Sequence, residues 1–225
     1  IQYNEKTLWS GGPQLDSTDY NGGNYQDRYK VLAEIRKALE EGNRQKAKQL
    51  AERNLVGPNN AQYGRYLSFG DIFMVFNNQK KGLENVTDYH RGLDISEAIS
   101  TTSYTQDGTN FKRETFSSYP DDVTVTHLSK KGDKTLDFTL WNSLTEDLIA
   151  NGDYSWEYSK YKQGAVTTDS NGILLKGTVK DNGLQFASYL GIKTDGQVTA
   201  QDGYLTVTGA SYATLLLSAK TNFAQ

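Results

Sequence analysis

Val123-Thr124-Val125-Thr126-His127-Leu128 and, a little further on, Leu136-Asp137-Phe138-Thr139-Leu140-Trp141 alternate apolar with polar residues. A period of two sends successive side chains to opposite faces, so each stretch reads as a half-buried β-strand. Their β-branched and aromatic residues suit a pleated surface that is packed on one side.

The same pattern extends outward from these two stretches over everything after about Tyr66. Leu67-Ser68-Phe69-Gly70-Asp71-Ile72-Phe73-Met74-Val75-Phe76 reads as an apolar strand, and the glycine inside it predicts a bulge. Tyr104 to Phe111 reads as a hairpin turning at Asp107-Gly108, because that dipeptide tolerates the positive φ of a type I′ turn. Further turn dipeptides stand at Asn151-Gly152, Asn171-Gly172, Asn182-Gly183, Asp195-Gly196 and Asp202-Gly203. Ala213-Thr214-Leu215-Leu216-Leu217-Ser218-Ala219 is one more strand near the end. Short strands punctuated about every 10 residues predict a mainly β fold, a large antiparallel β-sandwich.

One region departs from that pattern. From Asp27 the apolar residues Val31, Leu32, Ile35, Ala38 and Leu39 recur at helical spacing, with Asp27 as N-cap and Gly42 as the stop. A second helix runs from about Asn43 to Asn54, with Ala47, Leu50 and Ala51 on one face. The expected organisation is a single domain over 1–225 with a helical insertion at about 27–54. The cationic excess of the helices reads as a solvated face.

Composition narrows the chemistry. The 225 residues include no cysteine, which removes disulfides, thiolate metal sites and thiol nucleophiles. A net charge of −3 argues against nucleic-acid binding by bulk electrostatics, and no apolar run reaches the ~18–20 residues of a membrane span. His90 and His127 lack metal-ligand spacing, and His127 sits in an alternating strand where a structural role is expected. No nucleophile elbow or phosphate-binding glycine loop is present. The 27 acidic residues fall mostly at turns or on helix surfaces. The 15 tyrosines admit two readings: cross-strand packing within sheets, or an aromatic platform for sugars.

One segment is more specific. Ile1-Gln2-Tyr3-Asn4-Glu5-Lys6-Thr7-Leu8-Trp9-Ser10-Gly11-Gly12-Pro13 closely resembles the QLNEDTLWSGGP signature of glycoside hydrolase family 95. The helix pair from Leu32 to Ala51 resembles that family's early helical insertion. Tyr66 to Ile72 resembles its YLPLGDL strand, and Val86 to Asp94 its VTDYRRELDL segment. Tyr104 to Asp122, with Arg113-Glu114 and Phe116-Ser117-Ser118-Tyr119-Pro120-Asp121, is similar to the stretch that follows in the family. The match runs over essentially the whole chain, with Tyr3 where leucine is commoner and Ser68 where proline is commoner.

The resemblance implies a β-supersandwich that precedes a helical barrel in an inverting α-L-fucosidase. Such enzymes cleave terminal α-1,2-linked fucose and, in some members, α-L-galactose. The general acid and base of that family lie in the barrel, so no catalytic residue, metal ligand or cofactor is assigned to any position here. The implied partners are the downstream barrel and, through the parent enzyme, a fucosylated glycan. The chain reads as part of something longer, and an extracellular or cell-surface setting in a bacterium is the expectation for such an enzyme.

Within the domain, Asn4, Glu5 and Trp9 are the candidates for facing substrate or a neighbouring domain. They flank a strand end before the turn-forming Gly11-Gly12-Pro13, and an indole can stack on a sugar while donating its N–H. The competing reading makes Trp9 a lid on the domain's own core. Asp71, Asp88 and Arg91 are weaker candidates, read equally as turn or strand-edge salt links. The alternative function is an independent carbohydrate-binding module using an aromatic platform.

Overall fold

A computed structural model describes residues 1–11, 27–55, 64–76, 85–145 and 161–223. These form two compact units, Ile1–Leu8 with Tyr66–Gln225 and, separately, Trp9–Arg65.

The first unit is built from two antiparallel sheets. The smaller has the order β1 (Gln2–Tyr3), β4 (Gly70–Phe76), β9 (Leu136–Asn142), β14 (Tyr204–Ala210) and β13 (Gln197–Gln201). The larger runs β10 (Lys162–Asp169), β11 (Gly172–Val179), β12 (Gln185–Thr194), β15 (Tyr212–Thr221), β8 (Val123–Lys131), β7 (Thr109–Ser118), β6 (Ile99–Gln106) and β5 (Val86–Asp94). Strands β8 and β9 cover the two stretches that open the sequence reading. In β9 every second residue is buried from Leu136 to Asn142, as the alternation requires.

The core lies between the sheets. Ile72, Phe138, Leu140, Leu205 and Val207 come from the smaller sheet, and Leu128, Ile173, Leu190, Leu215 and Leu217 from the larger. A second cluster gathers Leu8, Leu67, Phe69, Leu175, Val179 and Phe186. The mainly β sandwich expected from the sequence is the observed architecture.

Turn chemistry sets the register. Asp107 (φ 47°) and Gly108 (φ 78°) are both left-handed, as are Asp202 (φ 49°) and Gly203 (φ 84°), so both hairpins turn as expected. At Asn171-Gly172 the turn sits one residue earlier. Asp169 pairs with Gly172, and the Asp169 carboxylate accepts from the amides of Asn171 at 2.7 Å and Gly172 at 3.1 Å. Asn151-Gly152, Gly12 and Pro13 lie outside the described residues.

Gly70 does not make a bulge. It opens β4 at φ 117°, and the three residues before it are not strand. The positive φ redirects the chain, so Leu67 and Phe69 fill the second cluster while Ile72 fills the first.

The second unit holds a 3₁₀ turn (Arg28–Val31), α1 (Leu32–Glu40) and α2 (Arg44–Asn54), with the two-residue strands β2 (Trp9–Ser10) and β3 (Arg65–Tyr66) at or across the two ends of its chain. Ile35, Ala38 and Ala47 are buried together, with Val31, Leu50 and Ala51 packed on them. Gly42 stops α1 at φ 73°, as expected, and Asn43 caps α2 by accepting from the Lys46 amide at 3.0 Å. Asp27 does not act as a side-chain cap. Its own left-handed backbone (φ 59°) turns the carboxylate away from the helix amides, and it pairs with Lys30 at 3.3 Å instead.

Candidate functional site

The segment after β1 is fixed by polar bonds on both sides of Asn4. The Tyr3 phenol shares a hydrogen bond with the Ser188 hydroxyl at 2.7 Å and accepts from the Asn142 side-chain amide at 2.8 Å. Its ring stacks on Phe69 with centroids 5.6 Å apart. Beyond Asn4, the Glu5 carboxylate accepts from the Thr7 amide at 2.8 Å and from the Thr7 hydroxyl, which also bonds the hydroxyl of Thr221. The Leu8 amide donates to the Glu5 carbonyl at 3.1 Å, and Leu8 is fully buried. Asn4 therefore stands exposed between two anchored neighbours, and its own side chain makes no hydrogen bond among the described residues.

Asn4 and Glu5 line a hollow of about 320 Å³ in the first unit. Its other wall comes from the end of β7, the turn into β8, and β15. Tyr119 stands almost wholly exposed on that turn, at 97%. Asp122 is left-handed (φ 53°), takes the Ser218 hydroxyl on its carbonyl at 3.0 Å, and pairs through its carboxylate with Lys220 at 3.1 Å. The Ser118 hydroxyl donates to Asp121 at 2.5 Å. The hollow thus offers an unengaged amide, several hydroxyls and an aromatic ring. Its two carboxylates, on Glu5 and Asp122, are already bonded to protein groups.

Sequence reading singles out Asn4 and Glu5, and the structure brings them together. It misses the Ser118–Asp122 turn as their neighbour. Tyr119-Pro120-Asp121 is visible as a motif, but only the strand order places the β7–β8 turn beside β15 and the segment after β1. Trp9 belongs to the second unit, where its ring is 46% exposed. Asp71, Asp88 and Arg91 form no salt link among the described residues, which corrects that part of the expectation. Asp88 instead sits in a left-handed bulge (φ 52°) and accepts from the Thr87 hydroxyl.

Many of the aromatic rings pack across strands. Phe73, Trp141 and Tyr204 are cross-strand partners in the smaller sheet, with centroids 5.4 Å and 5.6 Å apart. Phe73 stacks on Trp141 and Tyr204 packs against it at a tilt, so these rings are used in packing one another. His127 bonds the Thr214 hydroxyl at 2.9 Å and lies 6.3 Å from the Tyr212 ring, a packing role. Among the described residues no three acids or histidines gather as a metal site, and no helix is long and apolar enough to cross a membrane.

Three relatives share this sequence over much of its length. The chain is 26% identical to "Alpha-L-fucosidase 2" of Arabidopsis thaliana over 247 residues, covering 99% of the chain and 26% of the relative. It is 30% identical to "Probable alpha-fucosidase A" of Aspergillus niger over 149 residues, 64% of the chain and 17% of that protein. For the Aspergillus oryzae protein of the same name the identity is 23% over 232 residues, 99% and 28%. The chain spans about a quarter of the length of the plant relative. The relatives are plant and fungal, so they give no support to a specifically bacterial setting. The family model "Glycosyl hydrolase family 65, N-terminal domain" matches residues 1–225, and the chain belongs to that family.

Proposed function

We propose that this chain is the non-catalytic N-terminal domain of an inverting α-L-fucosidase of the glycoside hydrolase family 95 type. The parent would act on terminal α-1,2-linked fucose or on α-L-galactose, and its catalytic acid and base would lie in a downstream helical barrel against which this domain packs. The observation that carries the reading is the match of all 225 residues to a hydrolase N-terminal domain, while they account for 26% of a relative named α-L-fucosidase. The site chemistry agrees. Inverting hydrolysis needs one carboxyl group to protonate the leaving oxygen and another to activate water, each free to change its proton. Glu5 is instead committed to the Thr7 turn and Asp122 to Lys220.

In this reading the domain contributes rigidity and position. The bonds around Tyr3 and Glu5 hold Asn4 out from a fixed backbone, and Trp9 follows after Lys6-Thr7-Leu8 in the sequence. Asn4, Glu5 and Trp9 are the proposed contacts to substrate or barrel. The test is hydrolysis of an α-1,2-fucosyl disaccharide, with the released anomer followed by NMR, for the parent protein and for the 225-residue chain. The parent should release the inverted sugar and the chain alone should release none. Turnover by the chain alone, or retention by the parent, overturns the reading.

A further inference from the structure

The larger sheet carries a row of polar side chains on the face it turns toward the core. Arg91 pairs with Thr102, Thr102 with Arg113, and Arg113 with Leu128. Directly opposed residues share a face, and Leu128 lies in the core at 2% exposure, so this whole row points to the side between the sheets. Arg91 and Arg113 are nonetheless exposed, so this part of the face is open to solvent. Two guanidinium groups flank a threonine there, on backbones about 10 Å apart at two strand spacings.

Among the described residues no carboxylate lies within 4.0 Å of Arg91 or Arg113. The acids of these strands are used elsewhere: Glu114 by Lys112 at 2.7 Å, Asp94 by Ser96 and the Glu97 amide, and Asp88 by Thr87.

The surroundings are built for more than a bare ion. Both arginines line a hollow of about 480 Å³, together with the hydroxyls of Ser100, Thr102 and Thr115. A second hollow of about 280 Å³ shares Thr102 and Arg113 and adds the ring of Tyr89, with Tyr104 stacked on Phe111 in its wall at 5.4 Å. Tyr89 reaches it because the bulge at Asp88 shifts the register of β5, and its ring stays 62% exposed. A guanidinium fork matches a carboxylate or sulfate, hydroxyls match sugar hydroxyls, and an open tyrosine face takes the C–H side of a pyranose. We propose that this face binds an acidic saccharide, its anionic group held by Arg91 and Arg113 and its ring against Tyr89. The site stands whether or not the parent is a fucosidase.

Calorimetric titration of the chain with trigalacturonate, its methyl ester, a sulfated fucose and sodium sulfate tests this directly. Binding of the uronate or of the sulfated sugar is expected and assigns the anion. Removing the charge as the methyl ester, or making Arg91→Gln or Arg113→Gln, should weaken uronate binding at least about tenfold. Tyr89→Ala should weaken the saccharide and leave sulfate unchanged. Absence of binding by both acidic sugars overturns the site, as does equal affinity for uronate and ester. Sulfate binding as tight as the sugars means an adventitious ion only. Should a variant unfold, the ester comparison on the unaltered chain still decides.

Discussion

Replacing Glu5 by alanine removes the acceptor that closes the turn from Glu5 to Leu8. The Thr7 amide, at 2.8 Å, loses its partner, and the Thr7 hydroxyl keeps only its bond to Thr221. Hydrogen bonds to a charged acceptor are worth about 1.5–3 kcal/mol net when buried. Glu5 is only half-buried, so water can reach the freed amide and the expected loss is about 1–2 kcal/mol. For a body of this size that lowers Tm by roughly 2–8 °C. Glu5→Gln keeps a carbonyl oxygen where Thr7 needs it and should cost less than about 1 kcal/mol. Thermal melts followed by circular dichroism, paired with urea titrations, separate the two variants. A Glu5→Ala melt within ~1 °C of the unaltered chain would refute the turn role. A Glu5→Gln variant as unstable as Glu5→Ala would show that charge, not acceptor geometry, is what matters.

Two further outcomes follow from backbone and charge. Gly203→Ala and Gly42→Ala both place a side chain at positive φ, but the new Cβ meets Thr145 Cγ2 at 2.4 Å in the first case and nothing within 4 Å in the second. Gly42→Ala should cost about 1 kcal/mol by urea denaturation and Gly203→Ala clearly more; equal costs would contradict the packing around Thr145. Asp195 is held below the ordinary carboxylate range by the amides of Ser211, at 2.8 Å, and Tyr212, at 3.2 Å. Its stabilisation is therefore complete above the unfolded value of about 3.9 and is lost as pH falls through the lower folded value. Asp195→Ala should melt below the unaltered chain at neutral pH, with the gap closing in acid. A gap that widens in acid would reverse the assigned sign.

What the sequence discloses is local. The alternation from Leu136 to Trp141 and the Asp-Gly turns at 107 and 202 fix strand and turn type, because both depend on a few adjacent residues. Gly70 and Asp27 deceive for a shared reason. Each takes a positive φ set by where its neighbours must go, which neighbouring residue types alone do not reveal. The site is harder still. Asn4 and Glu5 stand out as polar residues at a strand end, but that Thr7 engages Glu5 depends on folding the chain back at Leu8. Arg91 and Arg113 meet only through Thr102 on the strand between them, so their shared face is invisible until register is known.

The position of β15 has a consequence for how this chain is made. This strand is not at an edge: it lies between β12 and β8, joining the group β10–β12 to the group β5–β8. While the ribosome has yet to release residues 212–221, those two halves cannot close on one another, and Thr124 to Ser129 and Phe186 to Thr194 each wait with an unpaired edge. The larger sheet therefore becomes whole only once residues 212–221 have left the ribosome, and the exposed edges in that interval are where a chaperone or a premature encounter with another nascent chain would act.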